Sequence, residues 1–303
     1  MIPLGIRIYG LGAIATGLVG LAWGDFALQW EPVAAGFPGR TALAYIFSAL
    51  LVVAGIAVNW RRSAAALGAA TLVGLYAVVV VLMHGAQIVQ HPGAFVAWDG
   101  AAEQLALLAG GLASYAYLAI VRADVTPGTD VRFGADVGPG VHVGAGVRKH
   151  AQLSREALIC MGVCLLMFGL AHFLYLDFTA SMVPAWLPGG QRFWAILTGA
   201  AHLLAGLALL SGIKARLAAI LLTVMFATFS VLVHLPTLAA GPHNHLNWVI
   251  NAINLALTGA AWSIATVLAK RSRRAELGHR EELAVGIPKA NFAGGQIRQG
   301  QES

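Results

Sequence analysis

The chain has 303 residues, 58% of them hydrophobic and 11% charged, with a formal net charge of +6. A soluble domain carries roughly 25% charged residues, and mean hydropathy here is +0.75, so a water-soluble globular fold is excluded. The positive balance does not point to nucleic acid, because the basic residues sit between long apolar runs and form no patch.

Runs of about 20 apolar residues, enough to cross ~30 Å of hydrocarbon, recur along the chain. They predict an all-α, polytopic membrane protein with eight helices near residues 5–23, 41–59, 63–84, 100–121, 156–176, 193–212, 215–236 and 248–269. The first run has Arg7 near its start and no small-residue cleavage site after a short core, so it is read as a membrane helix and not as a signal peptide. Gly20 and Gly24 stand at the GxxxG spacing that lets helix backbones approach closely. Cys160 and Cys164 lie one turn apart, which suits helix packing and not a disulfide.

Arg61, Arg62, Arg122, Arg132, Arg148, Lys149, Arg155, Lys214, Arg216 and the run Lys270 to Arg274 all fall in alternate connections. With Arg7 and the tail they make up 17 of the 19 basic residues, and only Arg40 and Arg192 lie elsewhere. By the positive-inside rule both termini are cytoplasmic, in a bacterial inner membrane, and the basic face contacts anionic lipid.

An internal repeat organises the rest. His84, Pro92 and Trp98 recur with identical spacing as His234, Pro242 and Trp248, 150 residues later. Asp25-Phe26, Pro38-Gly39, Arg40 and Ala54-Gly55 recur as Asp177-Phe178, Pro188-Gly189, Arg192 and Ala205-Gly206. The expected organisation is two parallel four-helix repeats, residues 1–121 and 156–270. A Gly-rich cytoplasmic linker, 122–155, joins them as a flexible tether, and a basic, polar tail covers 271–303, disordered after one or two further helical turns. The connections 24–40 and 177–192 carry Trp30, Pro32, Phe37 and Pro184, Trp186, Pro188, and read as lids lying on the bilayer surface.

Polar side chains in lipid are expected to face the bundle interior. His202 lies about ten residues into the sixth helix, roughly 15 Å down at ~1.5 Å per residue. His172 and His234 sit near the outer ends of the fifth and seventh helices. Asn247, Asn251, Asn254 and Thr258 form one stripe on the eighth, which serves either a ligand or interhelical bonding. In the first repeat His84, Trp98 and Gln104 match His234, Trp248 and Asn254, whereas Leu51 stands in place of His202 and Glu103 in place of Ile253. His84 and His234 read equally as interfacial residues bonded to a loop carbonyl, and Trp98 and Trp248 as aromatic-belt anchors. Asp25 with Arg40, and Asp177 with Arg192, are expected outer-loop ion pairs. No metal-ligand signature such as CxxCH or HExxH is present, and His243-Asn244-His245 is only a weak two-histidine cluster.

Gly169-x-x-His172-Phe173, Met182-Val183-Pro184-x-Trp186-Leu187-Pro188 and Gly199 to Gly206-Leu207 resemble the DoxX-like membrane family. The His234-Leu235-Pro236 to Asn247-Trp248 hairpin, with Leu255 to Gly259 after it, does so too. The resemblance covers about 115 residues, with the first repeat as a diverged copy. It implies a four-helix membrane unit, here doubled. Some relatives are similar to the membrane subunit of thiosulfate–quinone oxidoreductase.

The expected function is a quinone-linked redox subunit working beside a redox or membrane partner. His202 and His172 would be its catalytic residues, and His234, Asn251, Asn254, Trp248, His84 and Trp98 its ligand contacts. A neutral imidazole at hydrocarbon depth would donate to a quinone carbonyl. Haem and copper, which also take imidazole, rank behind quinone. The competing expectation is a non-catalytic scaffold or assembly subunit, or a carrier of a small apolar solute.

Overall fold

The computed structural model describes residues 1–125 and 145–285, and among these residues every regular element is helical. Eight helices are long and apolar enough to cross a membrane, as in a multi-pass membrane protein. They are α1 (Leu4–Trp23), α2 (Arg40–Asn59), α3 (Arg62–Gln90), α4 (Phe95–Val125), α5 (Ala145–Leu174), α6 (Gln191–Ser211), α7 (Ala215–Ala240) and α8 (His245–Val285). The expected linker 122–155 is helical at both ends, and its residues 126–144 lie outside the described residues. The tail expected from 271 begins as a continuation of α8 to Val285, several turns beyond the sequence-based expectation, and residues 286–303 lie outside the description.

Several helix ends differ from the sequence reading for physical reasons. Gly24 takes a left-handed conformation, φ 62°, and terminates α1. It caps the helix and, with Gly20, also faces α2, where added Cβ atoms would strike Tyr45 and Ser48. α3 and α7 do not stop at their histidines. Each passes through a π-helical stretch, Val79–His84 and Ser230–His234, and then continues for six residues. The following turns are short, 91–94 and 241–244, and each opens at or beside a proline that cannot extend a helix (Pro92, Pro242). In both turns the indole of the tryptophan six residues after that proline donates to its carbonyl, Trp98 to Pro92 at 3.0 Å and Trp248 to Pro242 at 2.8 Å.

Consecutive helices pack side by side from α1 to α4 and from α5 to α8, but neither set of four closes on itself. α1 lies along α8, and α5 lies along α4, while α4 and α8 also touch at the centre. Small residues make these contacts possible. A Cβ added at Gly12 would strike the backbone of Ala256, one at Gly259 would strike the backbone of Tyr9, and one at Gly110 would strike Ala260. Where α1 meets α2, a Cβ at Gly55 would meet the Gly10 carbonyl and the Ile14 side chain. Where α5 meets α6, one at Gly206 would meet the Gly162 carbonyl and the Leu166 side chain. At the end of the bundle that carries the long connections, here termed the lid end, Trp23 of α1 stacks on His245 of α8 with centroids 4.9 Å apart. Tyr175, just after α5, lies against Phe95 of α4 at 5.9 Å.

α4 and α8 are the most enclosed helices, and α7 is the most exposed, with Leu221, Val224 and Val231 facing outward. Cys164 is fully buried, and Cys160 directs its thiol to the Leu105 carbonyl of α4 at 3.4 Å, so both cysteines belong to the α4–α5 contact.

Because the α1–α8 seam has no room for a side chain at position 12, Gly12→Leu forces the two backbones apart. Overpacking of this kind costs about 1–3 kcal/mol. Its apparent Tm in detergent, read by scanning fluorimetry, should fall clearly below that of Gly74→Leu, whose Cβ meets nothing within 4 Å. Equal melting of the two variants would show that the seam tolerates separation.

Candidate functional site

Polar side chains converge at the lid end in two groups, one among α5 to α8 and one among α2 to α4 with the first lid. In the second four helices, His202 of α6 is only 2% exposed. Its ring lies 5.9 Å from Phe168 of α5, 5.7 and 6.3 Å from Phe226 and Phe229 of α7, and 4.8 Å from His172. Nδ1 of His202 is 2.9 Å from the Thr198 carbonyl, and Nδ1 of His172 is 2.7 Å from the Phe168 carbonyl. A carbonyl only accepts, so both Nδ1 atoms carry the proton and both Nε2 atoms keep a lone pair. The donor role expected for His202 is thus already used inside its own helix, and the ring offers a ligand an acceptor. Leu51, read as its counterpart in the first four helices, is buried and apolar.

The asparagine stripe of α8 faces α7. Asn247 donates to the carbonyls of Thr237 and Gly241 at 3.1 and 3.0 Å, and Asn251 to those of His234 and Asn247 at 2.9 and 2.8 Å. Asn254 donates to the Phe226 carbonyl at 2.9 Å and the Ser230 hydroxyl at 2.6 Å, and Thr258 donates back to the Asn254 carbonyl at 2.8 Å. The stripe thereby ties α8 to α7 across the π-helical stretch, and polar side chains that bond a neighbouring helix in this way also keep their own amides paired in hydrocarbon.

Below the second lid the surface opens. A cleft of ≈ 400 Å³ runs between the lid residues Val183 to Trp186 and α7. A neighbouring cavity of ≈ 230 Å³ is lined by His234, Asn247 and Asn251, and shares Ser181, Met182, Val233 and Thr237 with the cleft. Trp248 and Trp98 remain partly exposed at the hairpin ends, as interfacial anchors are.

The two lids differ more than their matching sequences suggest. Phe178 and Trp186 of the second are 68% and 71% exposed, and its Asp177–Arg192 pair, 2.5 Å apart, is exposed too. The first lid lies on the surface only in its second part, residues 34–39 with the exposed Phe37. It turns inward through the 3₁₀ turn Leu28–Trp30, burying Phe26, Ala27, Trp30 and Glu31, the last only 4% exposed. Arg40 holds it down by pairing with Asp25, donating from Nε to the Val33 carbonyl at 3.2 Å, and covering the Phe26 ring at 5.7 Å.

Insertion of this lid assembles a cluster of ionisable groups that the sequence reading ranked second. Glu31 accepts from the Ala27 N–H at 2.9 Å. Burial pushes its carboxyl up to about 7, the Ala27 N–H opposes that rise, and the Asp25 charge adds to it. Tyr76 of α3 lies within electrostatic reach of Glu31. His84 donates from Nε2 to the Trp30 carbonyl at 3.2 Å, and its ring rests on the bare backbone of Gly100, where a Cβ would come within 2.9 Å of Cε1. Asp99 and Glu103 stand one turn apart on α4. The Trp30 indole N–H is turned toward Glu103 without forming a hydrogen bond of good geometry. The Tyr76 hydroxyl, both polar atoms of the Gln104 amide and one oxygen of Asp99 are buried with no hydrogen-bond partner among the described residues. His84, Glu103 and Gln104 were legible from the repeat. Glu31, Asp99 and Tyr76 were not, because an acid in a loop reads as solvated until the loop is seen to turn inward.

A family model described as a domain of unknown function (DUF8561) matches residues 161–265, a stretch that runs from within α5 to within α8. No curated protein and no solved structure matches the chain.

Glu31 links the first lid to pH. Its folded-state value, about 7, lies above the ordinary 4.5. Its stabilising contribution is therefore complete below the ordinary value and lost as pH rises through 7, on the order of 3 kcal/mol in all. The apparent Tm should fall between about pH 5 and pH 8, and Glu31→Gln should flatten that decline. A wild-type Tm that rises over this window would contradict the assignment.

Proposed function

We propose that the chain is a bacterial inner-membrane subunit that binds a quinone-class ligand at the lid end of its second four helices. The observation that carries this reading is the cavity lined by His234 and Asn251 beneath an exposed aromatic lid. Such sites combine apolar walls with a few fixed polar groups, and a quinone ring needs both. Beside that cavity, the bare Nε2 atoms of His202 on α6 and His172 on α5 are able to accept hydrogen bonds, which suits the hydroxyls of the reduced form better than the carbonyls of the oxidised form. The DoxX-like resemblance falls on the same four helices as the matched family segment.

The reading includes two parallel four-helix units. It is supported by the paired π-helical stretches, the twin indole-to-proline bonds, and the glycine contacts that recur between α1–α2 and α5–α6. Gly110 and Ala260, which hold equivalent positions in the two units, touch each other and would mark the pseudo-two-fold axis. Both termini are placed in the cytoplasm by the distribution of Lys and Arg. Reporter fusions at Arg62, Arg122 and Arg216 should then all read cytoplasmic, and one periplasmic reading would overturn the topology.

A non-catalytic role draws on a different observation. The asparagine donors of α8 are already spent on α7 carbonyls, as interhelical bonding requires. Purified protein should separate the two readings with decylubiquinol as probe. Saturable binding that His234→Leu weakens about tenfold, the equivalent of one hydrogen bond, supports the ligand site. Absence of any bound quinone, haem or flavin together with no quinol binding rules it out. Co-purification with one stable partner, unaffected by His202→Ala, would favour the scaffold.

A further inference from the structure

We propose that the first four helices hold an exchangeable proton on the buried Glu31 and the half-buried Glu103, linked through Trp30 beneath the inserted lid. This inference does not rest on the quinone reading, since none of its residues lines the second cleft.

The argument begins with charge. Glu31 is almost completely enclosed, and Glu103 stands two turns inside α4 with Asp99 one turn above it. The groups that face them are Asp25 and Arg40 from the lid and the start of α2, Tyr76 and His84 from α3, and Asp99 and Gln104 from α4. His245 of α8 lies within reach of Asp25. Arg40, the cation of the lid, is committed to Asp25. His84 spends its Nε2 proton on the Trp30 carbonyl. Isolated carboxylates in a medium of low dielectric constant take up a proton instead of remaining ionised. Among the described residues no three His, Cys, Asp or Glu side chains converge as metal ligands would. A proton is the cation this geometry accommodates.

A second observation is independent of the acids. The Trp30 indole N–H, the Tyr76 hydroxyl and the Gln104 amide all belong to residues more than nine-tenths buried, and none has a hydrogen-bond partner among the described residues. Buried donors normally find acceptors. The Trp30 indole is turned toward Glu103, and Tyr76 lies by Glu31. These donors have a use when a carboxyl is ionised, because a carboxylate accepts several hydrogen bonds and a protonated acid accepts fewer. The site therefore supports both states: low dielectric favours the neutral acid, and the waiting donors favour the anion. That balance permits uptake and release near neutrality, which a permanently charged or permanently neutral group does not allow. Burial holding Glu31 near 7 agrees with it. Asp99, half-buried four residues into α4, lies between Glu103 and the lid end, and water there is the proton's source and destination.

The test is chemical labelling of the full-length wild-type protein in liposomes. Dicyclohexylcarbodiimide is apolar and attacks protonated carboxyls, leaving an acylurea that peptide mass mapping locates. At pH 6 it should label Glu103 or Glu31 about tenfold more than the exposed acids Asp177 and Glu156, and the labelling should fall by about tenfold or more by pH 9, following the neutral fraction. Infrared spectra should show a protonated-carboxyl band that shrinks over the same range and is reduced in both Glu31→Gln and Glu103→Gln. Labelling no greater than at the exposed acids, or an infrared band absent at pH 6, would overturn the proposal. So would a band that survives both substitutions. Because the labelling uses the unsubstituted chain, a variant that misfolds does not obscure the result.

Discussion

Close backbone contact between α1 and α8 is the constraint on which the rest of the bundle depends. Lipid supplies no hydrophobic force between helices, so association rests on van der Waals packing at small residues. Gly12 against Ala256 and Gly259 against Tyr9 provide it. The same contact brings the Tyr9 hydroxyl to the Leu107 carbonyl of α4 at 2.8 Å, so α1 is fixed to both central helices. On the opposite side α5 closes on α4. Each set of four is completed by a helix of the other, and neither can be removed without exposing the flank of its neighbour. Trp23 stacked on His245 and Tyr175 against Phe95 extend this interlock to the lid end.

Within that shared frame, the two lids show how one sequence pattern yields two environments. Asp, Phe and Arg recur in both, and in both the Arg pairs with the Asp. The first pair is half-buried and sits over Phe26, so the guanidinium also has a ring face to cover and a carbonyl to bond. The second pair is solvated, and exposed pairs of this kind contribute little, typically 0–1 kcal/mol. The difference originates in the intervening residues. Leu28–Trp30 forms a tight 3₁₀ turn that drives Trp30 and Glu31 inward, whereas Leu176–Met182 forms a surface helix that keeps Phe178 outside.

Much of the architecture was readable in the sequence because hydrophobic run length and turn residues report directly on it. The eight apolar helices came from run length alone, and the spacing His84 to Trp98 against His234 to Trp248 pointed at two hairpins with matching bonds. What escaped was whatever depended on packing. The π-helical stretches carry no local signal, so α3 was ended at His84 and α7 at 236, just past His234, both short of their ends at Gln90 and Ala240. Gly24 was legible as a packing glycine but not as the left-handed cap that ends α1, because the two look the same in a string. Glu31 escaped because burial of a loop is decided by what lies beneath it, here Tyr76, His84 and Gly100. His202 was found, yet its hydrogen-bonding role was inverted, since the carbonyl of Thr198 is invisible until the helix is built.

The two polar groups are complementary in what they leave unused. In the second four helices each asparagine of the α8 stripe donates to α7, with further bonds to the Gly241 and Asn247 carbonyls, and the atoms left open are the Nε2 lone pairs of His172 and His202. In the first, the open atoms among the described residues are chiefly donors, on Trp30, Tyr76 and Gln104, set among carboxyls whose one neighbouring lid cation, Arg40, pairs with Asp25. Substitutions at three repeat positions account for much of this inversion. Leu51 removes the imidazole from α2, Glu103 adds an acid to α4 where Ile253 is apolar, and Gly100 clears the space that Ile250 fills, letting His84 reach the carbonyl of the inserted lid. The seams of α1 on α8 and of α5 on α4 rest on glycine and alanine contacts, none of which uses Leu51, Gly100 or Glu103 itself. The polar chemistry of the lid end and the packing of the seams are thus carried by different residues.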